Sequence, residues 1–356
     1  MADTMIAVRK TARASGAELQ EIPIPDIKPN EVLIKVHASS LCGTDVHIYQ
    51  WDPWAQSRIK TVPYTVGHET AGTVVKAGSA VTRVKEGDKV SVETHIPCMH
   101  CKQCMTGQMH VCANLEILGV DRDGAFAEYL AVPEIVLWKN DTSIHPDLQS
   151  IQEPLGNAVH ATLIEPVHGK SVVVLGDGPI GLFSVGVAIA AGATKVFMTG
   201  MEPFRLDIGR KMGADRVIDI TKENAVDIVL EATGGIGADV VLEMSGATRA
   251  MQDGVKMLRR GGRYCFFGLY HDNLVPTPLN DIIFNGGKFY GINGRLMFET
   301  WFTLSNLLAS KRLDVTAVVT HKLPMADFAQ AFELMTETPK KAGKIILFPN
   351  PADISA

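Results

Sequence analysis

The chain has 356 residues, with 34 Lys+Arg against 39 Asp+Glu and a formal net charge of −5. A hydrophobic share of 46% with 21% charged residues excludes a disordered chain, and the length predicts two domains rather than one core. No Lys/Arg run offers a footprint for nucleic acid, MADTMIAVRK lacks the apolar core of a secretory signal, and the longest apolar stretch, 182–191, is about half a bilayer crossing. The expected protein is cytoplasmic, with neither nucleic acid nor membrane as partner.

Along the first 150 residues the pattern is short strands and turns. Residues 31–38 (EVLIKVHA) alternate at period two, and 71–75 and 89–92 continue the β pattern between the turn signals 76–79 and 86–88. Near residue 155 the pattern changes. Residues 171–175 (SVVVL) read as a buried strand, followed by a glycine turn and a helix to 191. Strands at 195–199, 216–220, 240–244 and 263–268 then follow, with a helix at 203–212, which indicates a parallel α/β sheet. The tail, 316–348, returns to short strands around a helix at 326–335. The α/β unit therefore reads as an insertion into a β-rich domain that the C-terminal part completes.

Four of the six cysteines form Cys98-x2-Cys101-x2-Cys104-x7-Cys112. Thiolates this close in sequence close a tetrahedron around zinc with no open position, which marks a structural site. Cys42, His68 and Glu69 form a mixed sulfur, nitrogen and oxygen set that suits a catalytic zinc, although a core thiol and a core histidine explain the first two as well. Beside Cys42, Thr44 and His47 can carry a proton from a metal-bound alcohol to solvent. Gly176-Asp177-Gly178-Pro179-Ile180-Gly181 follows a strand and opens a helix, the context that a dinucleotide pyrophosphate requires.

On these motifs the chain resembles the zinc-dependent medium-chain alcohol dehydrogenases, most narrowly the members that oxidise L-threonine. The segments that carry the resemblance are CGTDVHIYQWDPWAQ (42–56), VGHETAGTVV (66–75), the four-cysteine loop, QEPLGNAVHATL (152–163), GDGPIGL (176–182) and GINGRLMFETW (291–301). The resemblance implies an α/β protein with a GroES-like β-rich catalytic domain over 1–155 and 298–356. Its first part would carry both zinc sites, and a Rossmann coenzyme domain would span 156–297. It also implies two zinc ions per chain, an NAD coenzyme and a homotetramer. Cys42, His68 and Glu69 would hold the catalytic zinc, Cys98, Cys101, Cys104 and Cys112 the structural one. Thr44 and His47 would relay protons, and Glu153 would ligate the metal or join the relay.

The positions that would line the coenzyme are Gly176, Gly178, Pro179, Ile180, Gly181, Gly200, Arg205, Phe267, Gly268, Leu269, Ile292 and Asn293. His95 and Trp51 would stand at the substrate pocket, with an exposed loop histidine and aromatic packing as their plain alternatives. Arg295 is expected near the coenzyme, at a subunit contact or in an intrachain ion pair. The expected reaction is oxidation of the secondary alcohol of L-threonine, or a similar small molecule, to 2-amino-3-oxobutanoate. A polyol or 2,3-butanediol dehydrogenase is the nearest rival, and a non-catalytic zinc and dinucleotide sensor is the rival of another class.

Gly200 departs from the family. NAD-preferring members carry an acid at that place, where it bonds the adenosine ribose. Its absence leaves NADP open, with Glu202 a substitute acceptor. NAD is still expected to be preferred, and Gly200→Asp is expected to widen the margin.

Overall fold

The computed structural model describes residues 3–270 and 275–355. The strand Glu31–Ser40 is the hub of the β-rich part. One edge pairs antiparallel with Glu69–Ala77, and the other is shared between Tyr129–Pro133 and Lys344–Phe348. Its alternating sequence predicts a half-buried strand, yet all but Lys35 and His37 are buried, because the strand is central and covered on both faces. The C-terminal strand Lys344–Phe348 thus returns to the first sheet. Thr4–Lys10 and Glu18–Pro23 form a separate hairpin capped by Tyr64–Thr65.

A second sheet has six parallel strands among the described residues. Counted along the chain, its strands are Ser171–Leu175, Lys195–Gly200, Arg216–Asp219, Ala238–Glu243, Leu258–Phe266 and Lys288–Gly291. They lie in the spatial order 3-2-1-4-5-6, the dinucleotide-binding arrangement, whose strand order reverses beside Ser171–Leu175. Gly176 ends that first strand at φ +114°, a conformation that glycine adopts without steric cost. A Cβ on Gly181 would run into the Gly176 carbonyl, so glycine there lets the helix Pro179–Ala190 start tight against the strand.

The fifth strand ends at Phe266, which puts Phe267 and Gly268 in the following turn rather than in a strand running to 268. The helix Gln152–Leu163 has no apolar stripe to announce it. It is buried on nearly every side, packs against Pro179–Ala190, and carries Glu153 in its first turn. No helix among the described residues is long and apolar enough to cross a membrane.

Candidate active site

The register of the hub strand assembles the first metal-ligand set. Ser40 pairs with Glu69 across the sheet, so Cys42, two residues past the strand end, arrives beside His68 and Glu69. Gly67 makes the turn before them at φ +90°, with the Phe126 ring in the space that a Cβ would need. The ligand atoms of Cys42, His68 and Glu69 all lie within 4.8 Å of one another. Glu69 Oε1 is buried without a hydrogen-bond partner among the described residues, while Oε2 accepts from the Ser40 hydroxyl and pairs with the Lys344 ammonium. An orphaned carboxylate oxygen turned to a thiol and an imidazole fits a bound divalent cation. His68 Nδ1 faces Asp45 Oδ1 at 3.4 Å, which leaves Nε2 for the cluster. The other Asp45 oxygen accepts the Cys42 N–H at 2.9 Å.

Thr44 Oγ1 stands 3.8 Å from the Cys42 sulfur. His47, half-exposed on the same helix, brings Nδ1 to 2.5 Å from Asp52 Oδ2, and the second oxygen of Asp52 caps the next helix through Ala55 N–H at 3.0 Å. Thr44 and His47 both lie on the helix Gly43–Gln50, whose N-cap is Cys42.

Behind the cluster lies a buried ionic network. Arg295, 1% exposed, pairs with Glu93, with Glu153 Oε1 at 2.7 Å and with Asn157 Oδ1 at 3.0 Å. Glu93 also accepts from His95 N–H and from the Trp301 indole, at 2.9 and 2.8 Å. Burial pushes the Glu153 carboxyl up to about 7 against the pull of Arg295. His95 is buried 3.6 Å from Glu93, so it is no exposed loop residue. Burial, then Arg295, pushes it down to about 4.

The second set is local. Cys98, Cys101, Cys104 and Cys112 bring all four sulfurs within 4.8 Å, and Cys112 Sγ accepts N–H bonds from Cys98 at 3.2 Å and Asn114 at 3.3 Å. The His100 amide draws the Cys98 thiol down to about 5, whereas burial raises Cys104. Four thiolates packed this closely need a cation between them.

Two clefts flank the glycine turn. One, of about 310 Å³, is lined by Cys42, His47 and Glu69 on one side and by Pro179, Ile180 and Arg205 on the other. The second, of about 420 Å³, is lined by Gly176, Asp177, Gly200, Ser245 and Arg249 among others. Gly178 is the N-cap of the helix Pro179–Ala190. Phe267, Gly268, Leu269, Ile292 and Asn293 are not lining residues of either cleft. Ile292 is buried in the core, and Leu269 is 82% exposed. Trp51 packs in the cluster around Val8 and Leu41 with the Lys10 ammonium 5.0 Å over its ring.

Gly200 has no room for the expected substitution. A Cβ there would lie 2.5 Å from Asp177 Oδ2 and 2.6 Å from Asp177 Cβ. Glu202 Oε2 takes the Lys340 N–H at 2.9 Å.

Comparison with known proteins agrees with this geometry. The alcohol dehydrogenase GroES-like domain family matches residues 28–142, and the zinc-binding dehydrogenase family matches 179–310. L-threonine 3-dehydrogenase of Bacillus velezensis is 48% identical over 98% of this chain and all of its own length. The Pyrococcus abyssi enzyme of the same name is 48% identical over 97% of this chain and 99% of its own. The chain belongs to the zinc-binding alcohol dehydrogenase family.

This dehydrogenase is a zinc- and NAD(P)-dependent oxidoreductase. Its fold superposes on a putative zinc-binding dehydrogenase from Sinorhizobium meliloti bound to NADP, with a TM-score of 0.88 at 26% identity, over 98% of this chain and all of the other. Several residues that shape the dehydrogenase's site escape a sequence reading. Asp45 was visible inside CGTD but carried no assigned role. Lys344 and Glu93 lie far along the chain from the groups they neutralise, and no local motif marks them. Of the three places open to Arg295, the structure shows the intrachain ion pair.

Proposed function

We propose that the chain oxidises the C3 hydroxyl of L-threonine to 2-amino-3-oxobutanoate, leaving the amino group untouched. The observation that carries the proposal is the shared cleft, which sets Cys42, His47 and Glu69 against Pro179, Ile180 and Arg205. A metal-ligand set and the start of the dinucleotide helix then face one small space. The substrate follows the curated relatives, whose identity extends over nearly the whole of both chains.

Cys42, His68 and Glu69 would hold the catalytic zinc, and the four-cysteine loop the structural one. Zinc in the first site supplies Lewis acidity that lowers the pKa of a substrate hydroxyl, and the nicotinamide ring accepts the hydride. The chain's own residues do the rest. Thr44 Oγ1 would accept the hydroxyl proton while giving up its own toward His47, and His47, held by Asp52, would release a proton to solvent. Asp45 orients His68, and Lys344 balances the Glu69 carboxylate, both side chains being buried. Glu153, paired with Arg295, stands as a reserve acid beside the ligands.

The division into a catalytic part over 1–155 and 298–356 and a coenzyme part over 156–297 belongs to this reading. It is supported by the return of Lys344–Phe348 to the hub strand. So do a cytoplasmic location and a homotetramer. Exposed Ile283 and Phe284, preceding the edge strand Lys288–Gly291, offer an apolar face for assembly, and solution mass tests it.

The deciding experiment is initial-rate reduction of NAD⁺ with L-threonine, 2,3-butanediol and sorbitol in parallel. L-threonine should give a kcat/KM at least about tenfold above either, roughly 1.4 kcal/mol of discrimination. A diol or polyol ahead by that margin would overturn the substrate and keep the reaction class.

A further inference from the structure

We propose that Asp177, inside the glycine turn, selects NAD over NADP by supplying the carboxylate that the second Rossmann strand lacks at Gly200. The inference rests on the dinucleotide reading of that turn. The strand end and the turn are complementary. Where a side chain on Gly200 would stand, the Asp177 side chain stands instead, within 2.5–2.8 Å of the position of the missing Cβ. An acid has not been lost from this corner; it enters from the neighbouring loop.

Its contacts say what it does there. Asp177 Oδ2 accepts the backbone N–H groups of Met201 at 2.8 Å and Glu202 at 2.9 Å. Two successive amides aimed at one point form a seat for an anion. A 2′-phosphate on the adenosine ribose would have to claim that seat, and Asp177 already fills it with a charge of the same sign. A ribose with free hydroxyls meets no such conflict, and we assign Asp177 Oδ1 as the acceptor for the 2′-hydroxyl.

The cations nearby are partly engaged. Arg205 Nε is bound to the Ala342 carbonyl at 2.8 Å, and the Glu202 carboxylate to Lys340 N–H. The cleft's lining includes Glu223 and Asp253 besides Asp177, and its Arg249 lies 3.4 Å from Asp253. The fold itself does not decide the matter, because the Sinorhizobium meliloti neighbour of the same fold binds NADP.

The test measures dissociation constants for NADH and NADPH by nicotinamide fluorescence on the zinc-loaded protein. Wild type should hold NADH at least about tenfold more tightly than NADPH, as one charge-assisted contact implies. Asp177→Asn keeps the shape, removes the charge, and should shrink that ratio about tenfold, mainly by tighter NADPH. Gly200→Asp alone should weaken both ligands, because the two side chains collide. The double variant Asp177→Gly with Gly200→Asp returns a carboxylate from the strand side and should regain the NADH preference. It decides the matter should Asp177→Asn fail to fold. An unchanged ratio in folded Asp177→Asn, a double variant without NADH preference, or a wild type that prefers NADPH overturns the proposal. A wild type that binds neither nucleotide overturns the dinucleotide reading itself.

Discussion

The two metal-ligand sets of this chain are built in opposite ways. The four cysteines come from one loop, which holds its own sulfurs with its own amides. Cys42, His68 and Glu69 come from the ends of two paired strands, and their charges are balanced from elsewhere: Asp45 behind His68, and Lys344 from the last strand against Glu69. A closed loop can fail alone. An assembled site depends on the register of Glu31–Ser40 and on the return of the C-terminal strand. The lesson is that a stabilising ion can be bound locally, whereas an ion that must face a substrate requires the fold.

Breaking the assembled set at its thiol should have the largest effect. Cys42→Ser removes a ligand, and several kcal/mol of transition-state stabilisation correspond to a loss in kcat of about a thousandfold or more. NADH binding, measured by fluorescence, should be nearly unchanged, which separates the metal from the coenzyme. Lys344→Met leaves Glu69 beside Ser40 without its counter-charge. Removing one partner of a buried pair costs about 3–5 kcal/mol, to be read as a shift in the urea midpoint. The equivalent change at an exposed pair such as Arg249 with Asp253 should cost under about 1 kcal/mol.

Asp45→Asn sharpens the comparison further. It keeps the volume behind His68 and weakens its orientation, so zinc affinity or turnover should fall about 10–100-fold. The four-cysteine loop has no such carboxylate and should not respond. At His95 the expected effect is a pH dependence. Its folded-state pKa of about 4 lies below the ordinary 6.5, so the unfolded chain binds the extra proton. Stability is therefore present above about pH 6.5 and is lost as pH falls toward 4. His95→Gln should flatten that limb when unfolding free energy is measured across the range.

What could be read from the sequence follows the same division. The cysteine loop was legible because its ligands are neighbours in the chain. The strand run 171–175 was legible because a buried parallel strand leaves an unbroken apolar signature, and 89–92 (KVSV) because it alternates between polar and apolar residues. Gln152–Leu163 was not, since a helix buried all round shows no stripe. Lys344 and Glu93 looked like ordinary charges, and Arg295 had three places open to it, because what makes them matter is a partner brought near only by folding. Asp177 and Gly200 were both in plain view, one in the glycine turn and one at a strand end. Only their proximity shows that each explains the other.

The measurement that bears most directly on the account is zinc content per chain, by metal analysis of protein purified without added zinc. Wild type should give close to two, one for each ligand set. Cys42→Ser should give close to one and remain folded, while Cys101→Ser should give close to one and unfold at lower temperature. A wild-type value of one that survives in Cys101→Ser and disappears in Cys42→Ser would contradict the closed four-cysteine site, and with it the contrast between the local and the assembled ion.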